Sequence, residues 1–152
     1  MTQVLNERRS MRIDLALLGD HALVDKMNKL TVVGIFRVIT GRSFPFAHPV
    51  TFLALSVTVE SGDDRSHSVM VRLIDPDGRQ LIPEYRTDLE IDRADSHAET
   101  SLNVILQLAG VTFRGPGTHC FDVFIDNRFM KRVPLEVRLS QGRSGSTAVG
   151  SY

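Results

Sequence analysis

The side chains best suited to chemistry in this sequence are one cysteine and five histidines. Cys120 is the single thiol of the chain, so no intramolecular disulfide can form and a cysteine-based zinc site is nearly excluded. Strand-like alternation sends Cys120 and its neighbour His119 to opposite faces, which keeps that histidine from activating the thiol. Serine-nucleophile elbows and glycine-rich phosphate loops are absent. We therefore predict no catalytic residues and no cofactor.

The five histidines lack the short spacings at which ligands usually converge on a metal. His21 is the one with nearby carboxylates, since Asp20 precedes it and Asp25 follows within the same segment. These three residues could form a weak metal site. They could equally shape the turn that follows the first strand. We favour the turn and predict no metal.

A short aromatic segment between two prolines is the candidate binding loop. Residues 43–49 read SFPFAHP and contain Phe44, Phe46 and His48. One interpretation is a buried plug that caps one end of the fold. The other is an exposed loop that docks a partner or a ligand, because exposed apolar patches tend to mark interaction sites. Aromatic residues precede both prolines, and either of these peptide bonds can be cis at low cost.

Charge and hydropathy narrow the classes of partner and the compartment. The chain has 18 Lys and Arg against 18 Asp and Glu, so it lacks the basic footprint of a nucleic-acid-binding protein. No run approaches the roughly 20 apolar residues of a membrane span. A lone cysteine suits a reducing cytoplasm. We therefore expect a cytoplasmic protein that binds neither nucleic acid nor membranes.

The elements that must position these residues are strands, because apolar residues recur at every second position. Turn sequences such as DPDG at 75–78 and Asp126-Asn127 separate the runs. The pattern predicts an all-β fold, an immunoglobulin-like or Greek-key sandwich of about eight antiparallel strands. We expect these strands near 12–18, 30–40, 50–60, 67–75, 79–86, 101–109, 118–126 and 129–139, with a short extra one at 21–25.

The domain organisation follows from the same patterns. Residues 11–140 are expected to form one sandwich domain, since 152 residues leave little room for a second core. Residues 1–10 are polar, and residues 141–152 are rich in Gly and Ser, so both are expected to be flexible. The acidic stretch 87–100 fits a loop, a short edge strand or one helical turn.

Two segments resemble a family of uncharacterised bacterial proteins. The opening is MRIDLALLGDHA at 11–22, followed by LTVVGIF at 30–36. The ending is PGTHCFDVFIDN at 116–127, followed by VPL at 133–135. His119 stands where the family usually has tyrosine, and Asn127 where it usually has glycine. The resemblance covers most of residues 11–139, and it implies a β-sandwich without an assigned activity.

Two classes of function remain open at this point. The first is a non-catalytic interaction or structural module that binds a protein partner or forms a homodimer through a sheet face or edge strand. The alternative is a small-ligand-binding protein or enzyme with a pocket at the mouth of the sandwich, using His119 or His48. A large, partly polar cavity containing a histidine would distinguish the second from the first.

Overall fold

The computed structural model describes residues 11–60, 66–90, 99–141 and 147–151. Within these ranges the chain is all-β, as predicted, with nine strands and no helix. The expected lead-in, most of residues 87–100 and part of the expected tail lie outside them. The strands are β1 (Met11–Val24), β2 (Leu30–Ile35), β3 (Val38–Gly41), β4 (Phe46–Val59), β5 (His67–Ile74), β6 (Tyr85–Leu89), β7 (Thr100–Phe113), β8 (Gly117–Ile125) and β9 (Arg128–Leu139).

The strands form two sheets with the main core between them. One sheet has the order β2-β1-β4-β7, and the other has the order β3-β9-β8-β5-β6. The core is built from alternate residues of both sheets, such as Leu53 and Leu55 of β4 and Phe121 of β8. These are inner-face positions that the period-2 pattern predicts, and their burial is confirmed. Leu139 is the departure, because it ends β9 and is 48% exposed.

The predicted strand at 30–40 is wrong, because the chain changes sheet in its middle. β2 pairs with β1 in the four-stranded sheet, whereas β3 pairs in parallel with β9 in the other. The crossing is held by the Phe36 amide, which donates to the Leu18 carbonyl at 3.1 Å, and by the Glu136 amide, which donates to the Arg37 carbonyl at 2.9 Å. The segment has no Pro, Asn or Asp, and Gly34, with a φ of 66°, is the one local signal of an irregular backbone before the crossing.

The predicted strand at 79–86 is also displaced. Among the described residues, 79–84 form an isolated bridge between Gln80 and Ile74, with the Leu81 amide donating to the Leu73 carbonyl at 2.9 Å, and β6 begins only at Tyr85. Pro83 has no amide hydrogen for a ladder, which accounts for the late start. The expected extra strand at 21–25 is the far end of β1, and it pairs with β2.

The two-residue turn predicted between the last two strands is confirmed. Asp126 and Asn127 both have positive φ, at 50° and 64°, which suits a tight hairpin turn. The Asp126 carboxylate also reaches the start of β5. Its Oδ1 accepts the Ser68 amide at 3.0 Å, and its Oδ2 lies 2.6 Å from Nδ1 of the buried His67.

The four-stranded sheet has a second, smaller core on its outer face, and it curls around this core into a half-barrel. Phe52 and Ala54 of β4 are buried although they point away from Leu53 and Leu55. The β1–β2 hairpin covers them. The residues of this second core are Ala22, Phe52 and Ala54, with Leu30, Val32, Val50 and Ile105 packed against them.

One asparagine ties the tip of that hairpin to the opposite end of the sheet. Asn28 adopts a φ of 59°, and its Nδ2 donates to the Ser101 carbonyl at 2.8 Å. Asn103 Nδ2 donates in return to the main-chain and side-chain oxygens of Asn28, at 3.0 and 3.1 Å. Since Ser101 and Asn103 belong to β7, these bonds bring the two ends of the curled sheet together.

An Asn28→Gly substitution tests this closure. Glycine keeps the positive φ but removes the side-chain bonds to β7, so we expect a loss of about 1 kcal/mol in the free energy of unfolding. Asn127→Gly is the matched control, because Asn127 has the same backbone conformation and forms no side-chain hydrogen bond with the described residues. Urea denaturation measures both. Equal stability of the two variants would show that the asparagine bonds do not close the sheet.

Candidate functional site

An open groove of about 530 Å³ lies between the ends of the two sheets. Residues 81–85, which lead into β6, form one wall, and residues 106–112 of β7 form the other. The groove arises because β6 is the last strand of one sheet and β7 the last strand of the other. Its volume falls within the roughly 300–1,000 Å³ typical of ligand sites.

One wall of the groove is an edge strand with free backbone groups. β7 pairs along its length with β4, and within the described ranges no strand pairs with its other edge. In an antiparallel strand, alternate amides and carbonyls point away from the partner, so half of those along residues 106–112 face outward. Gly110 has a φ of 65°, and a Cβ added to it would meet no atom within 4 Å, which leaves this part of the edge open.

The surface of the groove is mostly apolar. Leu81, Ile82 and Tyr85 on one wall face Leu108 and neighbouring small residues on the other. An apolar trough beside unpaired backbone groups can hold an extended chain, with main-chain hydrogen bonds on one side and side-chain burial on the other.

Glu84 is the one charged side chain among the described residues that line the groove. Arg86 Nη2 donates to one of its oxygens at 2.7 Å, and Arg72 Nε donates to the other at 3.0 Å. These bonds, led by the one from Arg86, lower the pKa of the Glu84 carboxyl. The group is therefore ionised near neutral pH, and it serves as a structural anion rather than a general acid.

His119 and Cys120 lie on opposite faces of β8, as the alternation predicts. His119 is 1% exposed and points into the core. Its ring centroid lies 5.0 Å from that of Phe113 in an edge-to-face arrangement, and its Nδ1 lies 3.1 Å from the Gly117 carbonyl oxygen. Cys120 is half-buried on the other face. Burial raises the pKa of its thiol, and the charge of Arg132 partly offsets this rise.

The aromatic segment packs against the body of the fold, and from Phe46 onward it belongs to β4 rather than to a loop. The Phe44–Pro45 bond is cis. Phe44 and Phe46 are half-buried against the main core, and a Cβ at Gly41 would lie 2.7 Å from the Phe46 ring. The half-buried His48 ring lies 5.9 Å from that of Phe36. This packing favours the plug, and a docking role for the loop stays a prediction.

The weak metal candidates are not brought together. Asp25 Oδ1 accepts the amides of Met27 and Lys29, at 2.8 and 2.9 Å, and so closes the hairpin turn. His21 is exposed and contacts the edge of Phe52 at 5.0 Å between ring centroids. Within the described ranges, no three side chains of the metal-binding types are grouped so that they could hold an ion.

The groove was not found from the sequence. Its two walls combine residues 81–85, which fall in the strand predicted at 79–86, with the end of β7. Pro83 is the signal that this segment leaves the sheet, because a proline within a strand-like sequence indicates an edge strand or a loop. Gly110 was the second signal, because a glycine inside a strand often marks an open or irregular backbone.

A comparison with protein families identifies the family of the chain. Residues 14–138 match a family of unknown function, DUF6941. The chain belongs to this family. The predicted resemblance to an uncharacterised family is thus confirmed, and the function of this DUF6941 protein is unknown, as predicted. No curated protein matches the chain.

One similar solved structure is that of the Pseudomonas fluorescens alkylpurine DNA glycosylase AlkC bound to DNA containing an abasic site analog. The TM-score is 0.49 and the sequence identity is 11%. The match covers 85% of this chain and 30% of the other, so this DUF6941 protein spans less than a third of the glycosylase's length.

This similarity corrects one prediction. The statement that nucleic acid is not a partner is wrong as an exclusion, because a DNA-bound protein is among the similar structures. The error has a physical reason: net charge averages over the whole chain, and a neutral chain can still gather cations locally. Arg37, Lys131 and Arg132, for example, line one cleft. A TM-score of 0.49 assigns no ligand to this chain.

The described residues contain no helix long and apolar enough to cross a membrane.

Slow alkylation of Cys120 is expected from its environment. The thiolate is the reactive form, and the raised pKa keeps the thiol protonated at neutral pH. Iodoacetamide should therefore modify Cys120 severalfold more slowly than a cysteine in an unstructured peptide. Arg132→Gln should slow the reaction further, since Arg132 lowers the thiol pKa, whereas Arg79→Gln should not. A rate equal to that of the free peptide would contradict this explanation.

The plug interpretation of the aromatic loop predicts a loss of stability. Phe44→Ala and Phe46→Ala should each lower the free energy of unfolding by roughly 2 kcal/mol, because each ring is partly buried. Phe129→Ala is the control, since this ring is 54% exposed, and it should cost clearly less. Urea denaturation gives the comparison. Wild-type stability in both loop variants would favour a docking loop instead.

Proposed function

We propose that this DUF6941 protein is a non-catalytic interaction module that binds an extended, mainly apolar peptide segment along β7. The observation that carries the proposal is the open groove beside the outer edge of that strand, with which no strand of the described residues pairs. Residues 106–112 offer outward-facing amides and carbonyls, and residues 81–85 offer apolar surface opposite them.

Strand addition accounts for both features of the groove. A peptide that pairs with an edge strand gains affinity from main-chain hydrogen bonds and specificity from pockets for alternate side chains. Seven residues of strand extend for roughly 23 Å, which is enough for three or four peptide side chains on one face. The Glu84 carboxylate is already neutralised by Arg72 and Arg86, so apolar burial is expected to dominate selection.

The small-ligand alternative has less support. It requires a histidine in the pocket, and neither His48 nor His119 is among the residues that line the groove. A small molecule would also leave the outward-facing backbone groups of β7 unpaired, whereas a peptide would pair them. The groove therefore fits an extended chain better than a compact ligand.

Three finer assignments belong to the same proposal. In immunoglobulin-type sandwiches the last two strands form a hairpin beside a middle strand, and β9, β8 and β5 have this order. We propose an immunoglobulin-like Greek-key topology on that ground. A cytoplasmic location is supported by the lone free thiol of Cys120. A bacterial origin is supported by the resemblance of the opening and closing segments.

A pair of peptides tests the proposed function. The first is a capped heptapeptide of alternating valine and threonine. The second is identical except for N-methyl groups on all of its amides, which remove the hydrogen-bond donors of both edges. Titration followed by amide NMR should show saturable shifts at residues 106–112 with the first peptide. The N-methyl groups should weaken binding at least tenfold, as the loss of several hydrogen bonds implies.

Substitutions in the protein supply a second arm of the test. Leu108→Arg places a charge in the groove and should abolish the shifts. Leu139→Arg is the matched control, because Leu139 is exposed and lies outside the groove. Spectral dispersion confirms that each variant is folded. Equal binding of both peptides, or equal binding by both variants, would rule out pairing along β7.

A further inference from the structure

A second, smaller cleft lies on a different side of the molecule, where the chain crosses between the sheets. It has a volume of about 210 Å³ and is formed by β1, the crossing at residues 35–37, and β9. Its floor is apolar, since Leu18 and Val133 are buried and Phe36 is half-buried. This floor belongs to the edge of the main core.

The rim of this cleft carries two cations that have no negatively charged partner among the described residues. Arg37, Lys131 and Arg132 line it, and its lining contains no acidic residue. Arg132 is already paired, since its Nε and Nη2 donate to the two oxygens of Asp122 at 2.7 and 3.0 Å. Arg37 and Lys131 are exposed, and neither side chain forms an ion pair or hydrogen bond within the described ranges. The chain as a whole is neutral, so this is a local excess of cations.

We propose that this cleft binds a small carboxylate that carries a short apolar group. Arg37 and Lys131 would hold the carboxylate, and the apolar group would lie over Leu18 and Val133. Charge-assisted hydrogen bonds to a carboxylate are among the strongest that these side chains make. The site is distinct from the groove along β7, and it does not depend on the function proposed there.

Size restricts the ligand further. A volume of 210 Å³ equals the share of about seven water molecules in the liquid. A branched acid of about that many heavy atoms, such as isovalerate, fits it, and in a larger acid the carboxylate and the apolar group next to it would occupy the cleft. The carboxylate could come from a free acid or from the C-terminal residue of a peptide, because both offer the same chemistry at this size.

The position of Arg37 is fixed by the backbone around it. Main-chain bonds hold the crossing to Leu18 on one side and to Glu136 on the other, at 3.1 and 2.9 Å. The crossing therefore joins β1 to β9 at the point where it lines the cleft. A cation on such an anchored segment needs less ordering on binding than one on a free loop.

Amide NMR titration of the full chain with sodium isovalerate tests the proposal. Saturable shifts should appear at residues 16–18, 35–37 and 131–134. Isovaleramide, which has the same shape without the charge, should bind at least tenfold more weakly. N-acetylvaline and its amide form the second pair. Tighter binding of N-acetylvaline than of isovalerate would point to a peptide C-terminus, and the reverse to a free acid.

Matched substitutions locate the charge requirement. Arg37→Gln and Lys131→Gln should each weaken isovalerate binding about tenfold, the loss expected for one charge-assisted bond. Arg79→Gln and Lys26→Gln remove exposed cations outside the cleft. These two substitutions should change the affinity for isovalerate less than twofold, since distant surface charges are screened. Every variant alters an exposed residue, so each should fold.

Four results with small ligands would overturn the proposal. They are equal binding of isovalerate and isovaleramide, equal effects of the cleft and control substitutions, absence of saturable shifts, and tighter binding of inorganic phosphate than of isovalerate. A thymidine oligonucleotide that displaces isovalerate with higher affinity would also overturn it, since the cations would then belong to a nucleic-acid surface.

Discussion

The structure depends on one constraint, which is that β4 is apolar on both faces and must be covered on both. Its inner residues, such as Leu53 and Leu55, face the second sheet. Its outer residues Phe52 and Ala54 would lie in water if the four-stranded sheet were flat. Burial of apolar surface contributes about 25 cal/mol per Å², so exposure of a phenylalanine in mid-sheet would be costly. The sheet curls, and the β1–β2 hairpin covers that face.

The curl determines where the open surfaces of the molecule lie. Since β2 is used to cover the outer face of β4, the chain must return to the other sheet at Phe36 and Arg37, and the smaller cleft forms at this crossing. Since β1 and β2 occupy one side of β4, β7 becomes the last strand on the other side. The groove then lies between β7 and residues 81–85. Both candidate sites are therefore consequences of how β4 is buried.

The main core could be predicted from the sequence, because period-2 alternation assigns each residue of a strand to a face. The outer core could not be predicted in this way. The run VTFLAL at 50–55 is apolar at nearly every position, and such continuity is typical of strands buried on both faces. Alternation alone selects only one of these faces. A covering hairpin then depends on contacts between residues far apart in sequence, such as Asn28 and Ser101.

The crossing between the sheets, the groove and the smaller cleft could not be predicted from the sequence, for related reasons. Nothing in the types of Phe36 and Arg37 distinguishes them from residues inside a strand. They connect the two sheets because β3 pairs with β9. Arg37 is far along the chain from Lys131 and Arg132, so neither the sequence around each of them nor the net charge of the chain shows that they share one cleft. In contrast, turns with local chemistry, such as Asp126-Asn127, were predictable because their residues specify the backbone directly.

The free outer edge of β7 is the feature on which peptide binding depends most directly, and amide hydrogen exchange tests it. In the protein without ligand, the amides of residues 106–112 should alternate between protected positions that pair with β4 and positions that exchange nearly as fast as in an unstructured peptide. Such alternation would show that the edge is available for pairing. Uniform protection of all these amides would show that the edge is already covered, and it would contradict the proposed role of β7.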